Sequence, residues 1–304
     1  MLLKENIPKK KIIISKMIIE NRKVLTETLN NIRKKKQINF IPTMGNLHDG
    51  HLSLVKESHK KGYFSLVSIY VNPLQFSEKN DFKNYPRTLS KDLELLKKHN
   101  VNLIFLPQKK FADASFSVDI GKIGNKLCGV DRPGHFSGVA LVILKFLNLI
   151  QPHFITLGQK DYQQILVIKK LIKDFFLKTK LICIPTKREK NGLALSSRNQ
   201  LISDKRKHLT KMIFETMSNI AFDIKSFGLK KNKINYFRLK LLKLGVEKVN
   251  YIEVLKEEGL SELDSTPSRC RIFISITIDG VRLIDNIAMR EKLIKKKDGL
   301  IRTV

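Results

Sequence analysis

Residues 40–55, with the apolar positions just before them, constrain the chain more than any other stretch. The mostly apolar run 38–41 has the character of a buried parallel strand, and Pro42-Thr43-Met44-Gly45 is expected to stop it. His48 and His51 follow, three residues apart with Gly50 between them. A helix is expected from there, because His51, Leu54, Val55 and Ser58 fall at helical spacing. Both imidazoles would then stand near a helix N-terminus. That end carries unpaired N–H groups and partial positive charge, and an anion is at home there. Gly45 and Gly50 would let a ligand approach the backbone closely. A zinc reading of the histidines lacks partners, since Cys128, Cys183 and Cys270 form no paired ligand motif. Two capping or core histidines are the plain alternative. The strand, Gly turn and helix around them favour a phosphate site.

Composition narrows the class. At 304 residues the chain can hold one large domain or two ordinary ones, and 42% hydrophobic residues suffice for a core. No apolar run reaches transmembrane length. The opening Met-Leu-Leu-Lys-Glu-Asn-Ile-Pro lacks signal-peptide order. Three scattered cysteines suit a reducing cytoplasm, so a cytoplasmic protein with no membrane partner is expected. The formal charge is +30, from 58 basic and 28 acidic residues. Its sharp reading is a basic RNA-binding protein. The lysines are spread along the chain in short runs such as 34–36 and 295–297, away from aromatic stacking positions, and tryptophan is absent. That pattern points to compositional bias, so no specific nucleic-acid partner is expected. Weak, salt-sensitive binding to polyanions would follow either way.

Residues 1–16 read as an appendage, disordered or added by an upstream start. Residues 22–36 suit an amphipathic helix. A second buried strand, 64–71, ends in Asn72-Pro73-Leu74-Gln75-Phe76. Ligands of open parallel sheets bind beyond the carboxyl ends of strands, which places Asn72 and Gln75 on the same rim as the histidines. A helix is expected over 92–99 and a strand over 101–106. Residues 107–134 look irregular and lead to Arg132-Pro133-Gly134-His135-Phe136 and an apolar helix to 150, suited to core or a dimer face. His135 reads as a helix-start residue rather than a catalyst. A strand over 154–157 runs into Gly158-Gln159-Lys160-Asp161, a second strand–Gly–helix junction. Lys160 can reach a phosphate as a mobile point charge. Asp161 can accept from a ribose or cap the helix, and Gln164 lies one turn further on. A strand over 180–185 closes the first domain. The Leu195-Ser196-Ser197-Arg198 segment then offers hydroxyls and a guanidinium to phosphates. Helices over 203–227 and 233–244 and strands over 249–254, 271–278 and 282–286 follow, with Asp279-Gly280 as a hairpin turn. The basic end, 291–304, is expected to fray.

Several motifs fall in one order. They are Thr-Met-Gly-x-Leu-His-x-Gly-His at 43–51, Val-Asn-Pro-x-Gln-Phe at 71–76 followed by Tyr85-Pro86-Arg87-Thr88, Arg-Pro-x-His-Phe-x-Gly-Val at 132–139, Gly-x-Lys-Asp at 158–161 and Arg-Leu-Ile-Asp-Asn-Ile at 282–287. Over about residues 17–290 the chain resembles the pantothenate synthetase family, the pantoate–β-alanine ligases of the HxGH adenylyl-transferring superfamily. It departs from the family pattern at Gln159, where the family has Glu.

The resemblance implies an α/β fold: a Rossmann-like, doubly wound parallel sheet over 17–185, with a smaller α+β domain over 186–304 acting as a lid. It implies ATP-dependent condensation of (R)-pantoate with β-alanine through a pantoyl adenylate, releasing AMP and pyrophosphate. Met44, Gly45, Asn46, Leu47, Asp49 and Gly50 would line the ATP cleft. His48, His51 and Lys160 would meet the α- and β-phosphates, with His51 in the proton-donating role. Gly158 and Asp161 would lie at the ribose, Gln159 would belong to the ATP site, and Lys187 would offer its backbone to adenine. Leu195, Ser196, Ser197 and Arg198 would close over the phosphates as a mobile loop, the counterpart of a KMSKS segment. Gln75 and Gln164 would hold pantoate, and Asn72 with Gln75 would border β-alanine. Mg²⁺ is expected to arrive with the triphosphate; Asp92 is a weak candidate contact and is not assigned to it. A homodimer is implied. Another HxGH adenylyltransferase, acting on a nucleotide or cofactor precursor, is the alternative. It would share His48 and His51 without needing Asn72, Gln75 or Gln164.

Overall fold

Strand β2 (Ile38–Thr43) carries Phe40 and Ile41 side by side in sequence, both fully buried. Successive strand residues point to opposite faces, so this sheet must be covered on both. Phe40 meets Phe146, which also touches Phe105 and Phe111. Ile41 instead joins Leu54, Val55, Val67, Leu96, Val101 and Ile104. The structure, a computed structural model, describes residues 18–228, 231–263, 269–290, 293–295 and 301–303. The extension 1–16 lies outside the described residues.

Two compact units divide the chain. The first takes the described residues through Asp119, then Gly134–Gly158 and Ile168–Ile184. Its sheet has six parallel strands: β1 (Ile18–Ile19), β2, β3 (Phe64–Ile69), β4 (Leu103–Phe105), β5 (Phe154–Gly158) and β6 (Lys180–Ile184). Their order is β1-β4-β3-β2-β5-β6. The chain steps from β2 out to β4, then returns to the other side of β2 as β5. That reversal is the topological switch point at which open α/β sheets bind ligands. Helices α1 (Arg22–Arg33), α2 (Asp49–Lys60), α3 (Leu89–Lys98) and α4 (His135–Ile150) cover the faces, and α5 (Tyr162–Asp174) leads into β6. Asn21 caps α1 by accepting from the N–H groups of Lys23 and Val24. Helix α4 buries most of its length, from His135 to Ile150, and leaves Ser137, Leu141, Leu144, Lys145 and Asn148 on its outer side. The fold class read from the sequence is the one observed. Strand β2 runs two residues past its expected end, through Pro42. Pairing with β5 stops at Phe40, so the proline falls where one neighbour has already parted. Strand β1 was too short to show as a pattern. Among the described residues no helix is long and apolar enough to cross a membrane.

His153 ties β2 to the segment before β5. Its Nδ1 accepts from the Ile38 N–H at 3.0 Å. Burial, and then the nearby Arg33 cation, hold its pKa below the ordinary value. The unfolded chain therefore takes up this proton first. The stability His153 contributes is present above about pH 6.5 and is lost as pH falls through its depressed folded value. The urea midpoint should fall on acidification through that window, and the fall should be shallower in His153→Asn.

The second unit takes Ile120–Pro133, Gln159–Val167 and the described residues from Pro185 on. Its sheet is antiparallel: β7 (Lys248–Lys256), β8 (Cys270–Ile278) and β9 (Val281–Ala288), in that order. Asp279 and Gly280 join β8 to β9 with φ of 53° and 69°, the left-handed pair that a tight hairpin demands. Ile272, Ile274, Ile276 and Ile278 face one way and pack with Ile213, Met217, Ile220 and Ile224 of α6 (Lys207–Phe227), while α7 (Lys231–Lys243) adds Phe237 and Leu241. The opposite face of β8 buries Arg271 and Phe273, with Tyr162 against both. Of the end expected to fray, Leu293–Lys295 and Ile301–Thr303 instead pair antiparallel.

Candidate functional site

The turn between β2 and α2 is built by backbone needs. Gly45 has φ +79°, and a Cβ there would sit 3.0 Å from an Asp92 oxygen. The buried Asp92 carboxylate accepts from the N–H groups of Asn46, at 2.9 Å, and Leu47, at 2.8 Å. The Thr88 hydroxyl donates to it as well, at 3.1 Å. Both carboxylate oxygens are therefore spent on holding the turn, a role that the sequence reading did not assign. The signal was present: Asp92 shares the inward side of α3 with Leu96 one turn later.

His48 is the N-cap of α2. Its Nδ1 accepts from the Gly50 N–H at 3.1 Å, and the His51 Nδ1 accepts from the His48 N–H at 3.4 Å. The two rings form a reciprocal capping box of the kind usually made by Ser or Thr with Glu or Gln. A backbone N–H can only donate, so each Nδ1 is an acceptor. Each neutral ring then carries its proton at Nε2. The ring centroids lie 4.2 Å apart. Met44, Asn46, Leu47, Gly50 and both histidines are half-buried, and Asp49 is exposed. Gly158 ends β5, on the other side of the switch point. A Cβ there would meet no protein atom within 4 Å, so packing does not demand glycine at that position.

Asn72 follows β3 on the same rim. Its amide N–H₂ donates to Gln75 Oε1 and to the Gly138 carbonyl, each at 3.1 Å, and its Oδ1 accepts from Leu74 N–H. The Gln75 amide is thereby turned with its oxygen toward Asn72 and its N–H₂ away from it. His135 is the first residue of α4, as expected of a helix-start histidine. It is also buried, and its Nδ1–H donates to the Gln75 carbonyl at 2.6 Å. Gly138 lets α4 touch this turn, because a Cβ there would lie 2.2 Å from the Leu74 carbonyl oxygen. Gly138→Ala must push that backbone aside. We expect a loss of about 1–3 kcal/mol in urea unfolding, together with weaker binding of whatever Gln75 holds, read by titration calorimetry.

In the second unit Gln159–Asp161 form a 3₁₀ turn leading into α5. Lys160 Nζ lies 3.5 Å from Asp161 Oδ1. The carbonyls of Gln159 and Lys160 accept from the Asn286 amide at 3.1 and 2.8 Å. The turn is thus held by its backbone. Gln163 is buried, and its amide is spent on Cys128, Ile123 and Lys126. Gln164 is half-buried, on the same turn as Lys160 and Asp161. Lys187–Leu195 is a small hairpin, closed by Leu195 N–H to the Lys187 carbonyl at 2.9 Å and by an Arg188–Ala194 bridge. It delivers Ser196, Ser197 and Arg198, all half-buried. Among the described residues no group of three His, Cys, Asp or Glu could hold a metal ion.

Comparison with known proteins identifies the family. The family profile Pantoate-beta-alanine ligase matches residues 17–288. Pantothenate synthetase of Thermosipho africanus is 38% identical over 278 residues, covering 89% of this chain and 97% of the relative. The enzyme of that name from Francisella tularensis subsp. novicida is 38% identical over 274 residues, covering 89% and 96%. The crystal structure of pantothenate synthetase from Thermus thermophilus superposes with TM-score 0.83 at 30% identity, over 90% of this chain and 99% of that one. Pantoate-beta-alanine ligase from Francisella tularensis, complexed with beta-gamma ATP and beta-alanine, gives TM-score 0.78 at 36% identity, over 91% and 98%. With its whole described α/β core matched, the chain belongs to the pantoate-beta-alanine ligase family.

Proposed function

We propose that this chain is an AMP-forming ligase that joins (R)-pantoate to β-alanine, using ATP as the second substrate. The observation that carries this reading is the β2–α2 junction, where two imidazoles with Nε2 protons stand at a helix N-terminus on the switch-point rim. The pantoate carboxylate is a poor acyl donor. It attacks the α-phosphorus of ATP, pyrophosphate leaves, and pantoyl adenylate remains bound. The β-alanine amine then attacks the activated carbonyl and expels AMP.

The first step brings an anion to a polyanion, so neutralising charge dominates the barrier. A unit charge pair at about 4 Å is worth about 4 kcal/mol at an effective dielectric near 20. In this reading His48 and His51 donate to the α- and β-phosphates, and Gly158 lies at the ribose. Lys160 neutralises phosphate, Asp161 accepts from the ribose, Lys187 offers its backbone to adenine, and Leu195–Arg198 cover the phosphates. Gln75 presents its N–H₂ to the pantoate carboxylate, and Gln164 holds its hydroxyl and carboxylate oxygens. Mg²⁺ enters as part of the nucleotide substrate, keeping several waters. Asp92, whose oxygens hold the turn, is not assigned to it. A cytoplasmic location suits the free cysteines at 128, 183 and 270, and a homodimer is part of this reading through the family resemblance.

The test is to incubate the protein with ATP, pantoate and β-alanine and to measure AMP and pantothenate. Pyrophosphate exchange that depends on pantoate supports the reading. Exchange that depends on nicotinamide mononucleotide instead would replace it with nucleotidyl transfer. Gln164→Ala should raise the pantoate KM at least about tenfold, with a much smaller change for ATP. Equal changes in both would remove Gln164 from the pantoate set.

A further inference from the structure

The Arg-Leu-Ile-Asp-Asn-Ile motif at 282–287 has no part in the chemistry above, yet β9 carries its Asp285 and Asn286 buried. Neighbours on a strand point to opposite faces, and here each face holds a different segment. On one face the Asn286 amide donates to the Gln159 and Lys160 carbonyls. Arg271 fixes which way that amide points, since its Nη1 donates to Asn286 Oδ1 at 2.6 Å. A guanidinium cannot accept, so the amide oxygen must face Arg271 and the N–H₂ must face the turn. Arg271 is itself set by Glu257 at 3.2 Å and by the Tyr162 ring at 4.1 Å. On the other face Asp285 binds Arg188 through both oxygens. Arg188 donates onward to the Gly192 carbonyl at 3.0 Å and lies over the Phe214 ring. That fastens the hairpin whose far end is Ser196–Arg198.

We propose that Asp285 and Asn286 are positioning residues: Asn286 aims Lys160, and Asp285 fixes the hairpin that presents Ser196–Arg198. One rigid strand thereby sets the spacing between two phosphate-contacting segments. This rests on reading those segments as phosphate contacts. Misplacement by about 1 Å can cost about 10² in rate, so the effect should be visible without unfolding.

Asn286→Asp keeps the size and the acceptor for Arg271 but removes both donated hydrogens. In pantoate-dependent ATP–pyrophosphate exchange it should lower kcat at least about tenfold, with the pantoate KM unchanged within about twofold. Asp285→Asn should instead raise the ATP KM by about tenfold or more. A second readout does not depend on turnover. ATP should protect Lys160 from an amine-acetylating reagent in the wild type, as read by mass spectrometry on the folded fraction, and that protection should be lost in Asn286→Asp. Wild-type kcat, KM and protection in both variants would overturn the inference. So would losses that track the folded fraction alone. A wild-type protein without pantoate-dependent exchange would instead overturn the functional reading beneath it.

Discussion

Replacing His51 with alanine lowers kcat for adenylate formation by at least about 10², the scale seen when one preorganised donor is removed from a developing oxyanion. The argument is one of proton placement. The His51 Nδ1 is engaged by the His48 N–H, so its proton sits on Nε2, on the far side of the ring from the helix backbone. Alanine also removes half of the capping box, worth about 0.5–2 kcal/mol. His51→Gln separates the two roles, because Gln at this position can still reach back to the N-cap N–H but carries no imidazole. Melting temperature should be nearly restored in His51→Gln while single-turnover adenylation stays slow. If His51→Gln adenylates within about threefold of wild type, the imidazole is not the donor.

Arg271→Ala should be the most destabilising single change in the second unit, by about 3–5 kcal/mol out of a total of about 5–15. Arg271 is 1% exposed, and its guanidinium serves Glu257, Asn286 and the Tyr162 ring together. Taking two charges out of water costs several kcal/mol per ion, which the pair recovers only while both partners remain. Alanine leaves a buried carboxylate whose other cation, Arg290, is 63% exposed and therefore largely screened. Adding Glu257→Gln should recover part of the loss. Urea unfolding of the two variants would show it, and a single-mutant loss below about 1 kcal/mol would mean that the network is held elsewhere. The double variant should still be slow in catalysis, since Asn286 has lost the donor that orients it.

The parallel sheet and its rim were legible in the sequence because they depend on local pattern. Buried strands read as apolar runs, and the turns after β2 and β5 carry glycines and charged residues that no core would choose. His48 and His51 could be placed at a helix start from spacing alone. Asp92, His135, Asp285 and Asn286 were not legible as supports, because each acts over dozens of residues of separation. A carboxylate meeting two N–H groups from another loop leaves no periodicity. His135 shows the difference: its helix-start position follows from the chain around it, while its bond to the Gln75 carbonyl spans 60 residues. Strand β1, two residues long, escaped for want of length. The grouping of Gln159–Val167 with Pro185 and the residues beyond comes from packing on β8 and β9, which no linear boundary can express.

The capping box made of two imidazoles has an evolutionary consequence. In most enzymes a catalytic side chain can be lost while the scaffold survives, and the gene drifts on as an inactive relative. Here the atoms that begin a helix and the rings proposed to meet the nucleotide belong to the same two residues. A substitution at 48 or 51 that cannot accept from the backbone N–H groups of that box loses the helix start and the chemistry together.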